Sequence, residues 1–135
     1  MIKPTSHILV IKSTKSEIGK VERFLKNIFE EHGFPEECFN KVYLCVSEAV
    51  VNSIIHGNKK VIHKEIEVDV NCKSRSLTVT VTDEGEGFDI SAVPDPTKKE
   101  NILKESGRGI HIIKSMSHFV SYNEKGNSLQ FQINC

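Results

Sequence analysis

Leu77-Thr78-Val79-Thr80-Val81-Thr82-Asp83-Glu84-Gly85-Glu86-Gly87-Phe88 decides how this chain folds. Leu77, Val79 and Val81 alternate with Thr78, Thr80 and Thr82, the period-two pattern of a half-buried strand. Asp83 continues the apolar face, so a carboxylate ends the strand pointing inward. A buried carboxylate is costly without donors, which makes this position a candidate ligand contact. Gly85 and Gly87 follow closely, giving a turn where backbone can approach a flat ligand. Such a floor suits an amino-bearing heterocycle such as adenine. Read alone, the segment is also an ordinary strand ending in a tight acidic turn.

Working outward, Lys64 to Cys72 alternates with Ile66, Val68, Val70 and Cys72 on one face. Lys73 to Arg75 turns it into the Leu77 strand as a hairpin. His7 to Lys12 reads as an earlier strand. Ser16 to Glu31 is an amphipathic helix carrying Ile18, Val21, Leu25, Ile28 and Phe29 on one face and closed by Gly33. Pro35 opens a longer helix running to about Ile55, ended by His56-Gly57-Asn58. From Asp89 to about Ser106 the periodicity disappears, and a loop of that length in a compact domain suggests function or disorder. Gly107 to His118 reads as a third helix, for which Ser106 would be the N-cap if Ser106 to Ile110 were only an ordinary glycine-rich helix start. Phe119 to Tyr122 and Ser128 to Ile133 form a closing hairpin. These elements imply a single α/β (α+β) domain over residues 1–135. It is a two-layer sandwich, with a mixed, mainly antiparallel sheet carrying three helices on one face.

The 135 residues hold 18 Lys and Arg against 18 Asp and Glu, a balance that argues against direct nucleic-acid or anionic-membrane binding. No apolar run approaches the ~20 residues of a membrane span, and the first six residues lack the apolar core of a signal peptide. A cytoplasmic location follows. Cys38, Cys45, Cys72 and Cys135 are scattered, which favours small buried side chains over disulfides or metal ligands. The histidines show no zinc-type spacing, so no structural metal is expected.

On the long helix Glu48, Asn52 and His56 recur every fourth residue, forming a polar stripe. A carboxamide oxygen one turn from a carboxylate can divide the work of metal-dependent phosphoryl transfer, Asn52 binding Mg²⁺ and Glu48 accepting a proton. The same stripe also fits a solvated helix face. At Ser106-Gly107-Arg108-Gly109-Ile110 a loop enters a helix, where free amides and the positive helix end suit phosphate. That pattern equally describes a glycine-rich helix start.

In this order, Glu-x-x-x-Asn, then Asp-x-Gly-x-Gly after a strand, an irregular loop, and Gly-x-Gly opening a helix, the motifs resemble the GHKL ATPase superfamily over nearly the whole chain. The segments 47–57 and 94–110 are similar, more narrowly, to the anti-sigma factor serine/threonine kinases of bacterial partner-switching systems. The resemblance implies a Bergerat-type sandwich that binds ATP and Mg²⁺ under a lid at about 89–106. By that resemblance Asp83 holds the adenine amino group, Gly85 and Gly87 shape the adenine end, and Asn52 coordinates Mg²⁺. Ser106, Gly107, Arg108, Gly109 and Ile110 form the phosphate segment, with Gly107 and Gly109 contacting phosphates. Glu48 is the catalytic base, and His56 lies at the cofactor site or caps the helix.

It further implies a kinase whose substrate is a STAS-domain anti-sigma factor antagonist, whose other partner is a sigma factor or similar regulatory protein, and which forms a homodimer. A second reading is a nucleotide-gated binding module with little or no phosphotransfer. A third, ranked last, is the catalytic half of a split histidine kinase, because no dimerising helix with a phospho-accepting histidine precedes the first strand.

Overall fold

Side-chain alternation becomes sheet register. In the computed structural model, which describes residues 5–59, 61–85, 105–123 and 125–135, β2 (Glu65–Lys73) and β3 (Ser76–Asp83) pair antiparallel, with Val68 opposite Val81 and Ile66 opposite Asp83. β1 (Thr5–Lys12) flanks β2, β5 (Ser128–Asn134) flanks β3, and β4 (Phe119–Tyr122) closes the edge, in the order β1-β2-β3-β5-β4. Every pairing is antiparallel, a simpler sheet than the mixed one expected. Two of the four pairings, β2–β3 and β4–β5, are hairpins, and β1–β2 and β3–β5 run antiparallel through longer connections, so no parallel pair occurs among the described residues.

Opposed residues share a face, so one row crosses the whole sheet: Leu9, Val68, Val81, Leu129 and Tyr122. The next row, Ile11, Ile66 and Asp83, ends on the carboxylate. Three helices cover this inner face. α1 (Ile18–His32) buries Val21, Leu25, Ile28 and Phe29, and α2 (Glu36–Asn52) buries Val42, Cys45, Val46, Ala49 and Val50. α3 (Glu105–Met116) packs against α2 and buries Ile113. The opposite face carries Asp69, Asn71, Thr78, Thr80, Gln130 and Gln132, lining a shallow polar groove. The two-layer sandwich is therefore as expected.

Beyond Asn52 the helix continues as a π turn over Ser53–Gly57. By length and composition the stretch Glu36–Gly57 would suffice to cross a bilayer, which the absence of a long apolar run did not suggest. Val42, Cys45, Val46, Ala49, Val50 and Ile54 of this stretch are instead packed into the core between α1, α3 and the sheet, while Leu44 is exposed.

The cysteines require a correction. Cys38, at the start of α2, is disulfide-bonded to Cys135, 97 positions away, with their Cα atoms 5.7 Å apart. Spacing along the chain carries no sign of this pair, because only the assembled sandwich brings the first turn of α2 beside the end of β5. Cys45 and Cys72 are free and buried, as expected of small apolar side chains, and burial pushes both thiols up to about 11. Closing so long a loop constrains the unfolded chain. Reduction, or Cys135→Ser, is expected to cost about 2–4 kcal/mol of stability, read as a lower urea midpoint. An unchanged midpoint would show that the bridge stabilises nothing.

Candidate functional site

The site is built where the end of α2 meets the end of β3. The Asn58 N–H donates to the Ser53 carbonyl at 2.7 Å, an i→i+5 bond that widens the last turn. This shifts the phase of the polar stripe. Glu48 and Asn52 stay one α-turn apart, while His56 falls on the π turn and is exposed.

The same turn presses Gly57 against Asp83. A Cβ added at Gly57 would run into the Asp83 carboxylate, with Oδ1 at 2.7 Å, and one at Gly85 would run into the Gly57 carbonyl, with Asp83 Oδ1 at 2.8 Å. Neither position has room for a side chain.

Asp83 is partnered as its inward direction requires. The Gly85 N–H donates to Oδ1 at 2.8 Å, and the Ser53 hydroxyl supplies a second bond. Burial pushes the Asp83 carboxyl above its usual range, opposed by the Gly85 amide, the Ser53 hydroxyl and the charges of Lys125 and Lys64. A carboxylate accepts about four hydrogen bonds, so acceptor capacity is left for a ligand. The surrounding backbone is tied down: Asn127 Nδ2 donates to the Asp83 carbonyl at 3.0 Å, and the Asp83 N–H donates to the Asn127 carbonyl at 2.9 Å. Asn58, fully buried, joins both edges of the corner, accepting from the Glu84 N–H at 2.8 Å and donating to the Glu65 carbonyl at 3.1 Å.

Asn52 stands beside β4, close to the Tyr122 phenol. Burial pushes that phenol up to about 12, Asn52 opposing and the Asp83 charge adding to the rise. Asn52 Oδ1 is left buried with no hydrogen-bond partner among the described residues. An orphaned carboxamide oxygen is expensive, and it is the donor atom a hard cation such as Mg²⁺ takes. The residues present therefore fit the ion. One turn earlier, Glu48 faces the start of α3, where a Cβ on Gly109 would lie 3.0 Å from Glu48 Oε2. Gly109 thus lets the helix carrying the glycine motif approach the Glu48 carboxylate.

Ser106, Gly107 and Arg108 lie in the first turns of α3, which begins at Glu105, so Ser106 is inside the helix and not its cap. Ile110 is buried. Gly87 and positions 89–104 of the expected lid lie outside the described residues.

The family model for a histidine kinase-like ATPase domain matches residues 11–133. The chain belongs to this family. Among curated proteins, none matches the sequence. The fold is similar to that in the crystal structure of the RsbU and RsbW domains of Rv1364c from Mycobacterium tuberculosis, with a TM-score of 0.65 and 14% identity. That likeness covers 96% of this chain and 31% of the larger one. It agrees with the sandwich expected from the motifs.

Sequence reading of this ATPase domain missed Ser53, Asn58, Tyr122 and Asn127. Ser53 directly follows α2, and only the π turn and the Asp83 contact give its hydroxyl a task. Asn127 looked like a hairpin residue. Tyr122 had a legible signal, since an inward-facing phenol at a strand end needs a polar partner.

Asp83 gives a signed pH dependence. Its folded-state pKa is raised, so its contribution is favourable below the unfolded value of about 3.9 and is lost as pH rises through the folded value. Asp83→Asn should therefore gain stability relative to the wild type between acid and neutral pH, read as urea midpoints of the two proteins at pH 4 and pH 7. A constant gap between them would sink the assignment of burial as the cause.

Proposed function

We propose that this ATPase domain is a serine/threonine protein kinase of a partner-switching system, phosphorylating a STAS-domain anti-sigma factor antagonist and binding a sigma factor or another regulatory protein. The close approach of the Glu48 carboxylate to Gly109 is the observation that supports the reading: in it a carboxylate lies beside the segment that would receive phosphate, where a nucleotide-binding module has no need of a base. Support comes also from family membership, from the segments around Glu48 and Gly107, and from the fold shared with a protein that carries an RsbW domain.

In this reading Asp83 accepts from the adenine amino group with the capacity left by Gly85 and Ser53. Asn52 Oδ1 binds Mg²⁺, and amides at the start of α3 receive phosphate oxygens. ATP with Mg²⁺ supplies the transferable phosphoryl group. Glu48 takes the proton of the incoming serine or threonine hydroxyl, while Gly57 and Gly85 keep the adenine floor free of side chains.

With γ-labelled ATP, Mg²⁺ and a lysate of the source cells, the wild type should give a small, acid-stable labelled band. Glu48→Ala should lose at least about 100-fold in transfer and keep its ATP affinity. Asp83→Asn should instead weaken ATP binding by about 10- to 100-fold. Transfer undiminished in Glu48→Ala would refute the base. ATP binding with no transfer to any partner would leave the nucleotide-gated binding module as the better description.

The reading also places the protein in the cytoplasm, where reducing conditions oppose a standing Cys38–Cys135 bridge. It includes a homodimer, which Ile8 and Val10, exposed on the open face of edge strand β1, support. Light scattering should return twice the chain mass, and a monomer at micromolar concentration would remove that part.

A further inference from the structure

The fold assembles a second cluster that the chain's spacing does not announce. His7 on β1 lies opposite Val70, and Cys72 on β2 opposite Thr5, so His7 and Cys72 are diagonal neighbours on the inner face. His32, in the last turn of α1, comes down onto them. His7 Nε2 and His32 Nε2 stand 3.0 Å apart, their rings perpendicular at 89°. One ring nitrogen of each histidine and Cys72 Sγ lie within 4.8 Å of one another. Glu31 Oε2 is 3.7 Å from His7 Nε2.

We propose that His7, His32 and Cys72, with Glu31 as fourth ligand, form a binding site for a borderline first-row dication, Zn²⁺ above others. Tetrahedral Zn²⁺ with nitrogen at about 2.0–2.1 Å and sulfur at about 2.3 Å sets its ligand atoms roughly 3.3 Å (N to N) and 3.6 Å (N to S) apart. The two nitrogens are already within a few tenths of an ångström of that spacing. Imidazole and thiolate donors select zinc-like ions over Mg²⁺ or Ca²⁺. Two neutral rings, a thiolate and a carboxylate also match the ion's charge.

The carbonyl end of α1 adds a negative field at His32. The Phe34 ring, stacked on His32 at 5.5 Å, gives the site an apolar flank. Binding forms the Zn–S and Zn–N bonds and releases the Cys72 thiol proton to solvent. Cys72 pairs with Leu77 while Asp83 pairs with Ile66, so the cluster lies about 20 Å from the Asp83 corner. It stands or falls independently of the nucleotide reading.

The test uses the chelator-treated, nucleotide-free protein with its disulfide intact, titrated with Co²⁺ as a spectroscopic stand-in. One equivalent should give intense tetrahedral visible bands and a thiolate-to-cobalt charge-transfer band, both erased by one equivalent of Zn²⁺. Zn²⁺ at a hundredfold excess over its Kd should raise Tm by roughly 10 °C. Cys72→Ser should lose the charge-transfer band, and His32→Gln should weaken Zn²⁺ binding by more than about 100-fold, beyond what an outer-shell partner costs. Cys45→Ser should change neither, and circular dichroism checks that each variant is folded. No stoichiometric cobalt spectrum, or a thiolate band that persists in Cys72→Ser and disappears in Cys45→Ser, would overturn the site.

Discussion

The meeting of Gly57, Asp83 and Gly85 is the constraint on which the rest of the site depends. A carboxylate on the inner face of a strand must be paid for by donors, and the donors here come from the end of α2 and the turn after β3. For the Ser53 hydroxyl to reach it, the helix end must lie against the strand end, which leaves no space for a Cβ at either glycine. The π turn sets that approach, and the fully buried Asn58 locks it to both β2 and the turn after β3. The strain-free way to hold a charge in this corner is thus to spend glycines and amides on it, leaving part of the carboxylate's acceptor capacity open.

Holding Asp83 here also fixes Asn52 and Glu48. Both lie on the same helix, one and two turns before the corner, so anchoring the helix end sets where they project. Asn52 meets Tyr122, the last member of a row that crosses all five strands. Glu48 meets Gly109. The Asn52 carboxamide oxygen is buried there without a partner among the described residues. The chain accepts a local cost, as binding sites commonly do.

How much of this was legible follows from the range of the forces involved. Strand alternation and helix amphipathicity are local, so the strands, helices and two-layer fold could be read from Leu77–Val81, Ile66–Cys72 and Val21–Phe29. The inward direction of Asp83 was legible for the same reason. The phase of His56 was not, because one i→i+5 bond moves it off a stripe that ideal α spacing keeps straight. Nor were the Cys38–Cys135 bridge and the His7–His32–Cys72 cluster, each joining residues far apart in the chain. Their signal lies in register and helix placement, which exist only once the sandwich has formed.

The sheet also divides its two ends by kind of bond. Ser76 pairs with Asn134 and Cys72 with Leu77, so the disulfide and the His7–His32–Cys72 cluster share the end opposite Asp83. There the Cys135 N–H donates to the Arg75 carbonyl at 2.7 Å, and a covalent bond ties α2 to the sheet. The Asp83 end is closed by hydrogen bonds from Ser53, Asn58 and Asn127, each worth about 1 kcal/mol against about 2–4 for the bridge. While the bridge stands, opening the sandwich from the Asp83 end is therefore cheaper than from the other, and reduction removes that difference. A ligand entering between helix and strand would be best received at the end where contacts can be exchanged one at a time, while the end that can be cross-linked keeps the layers in register.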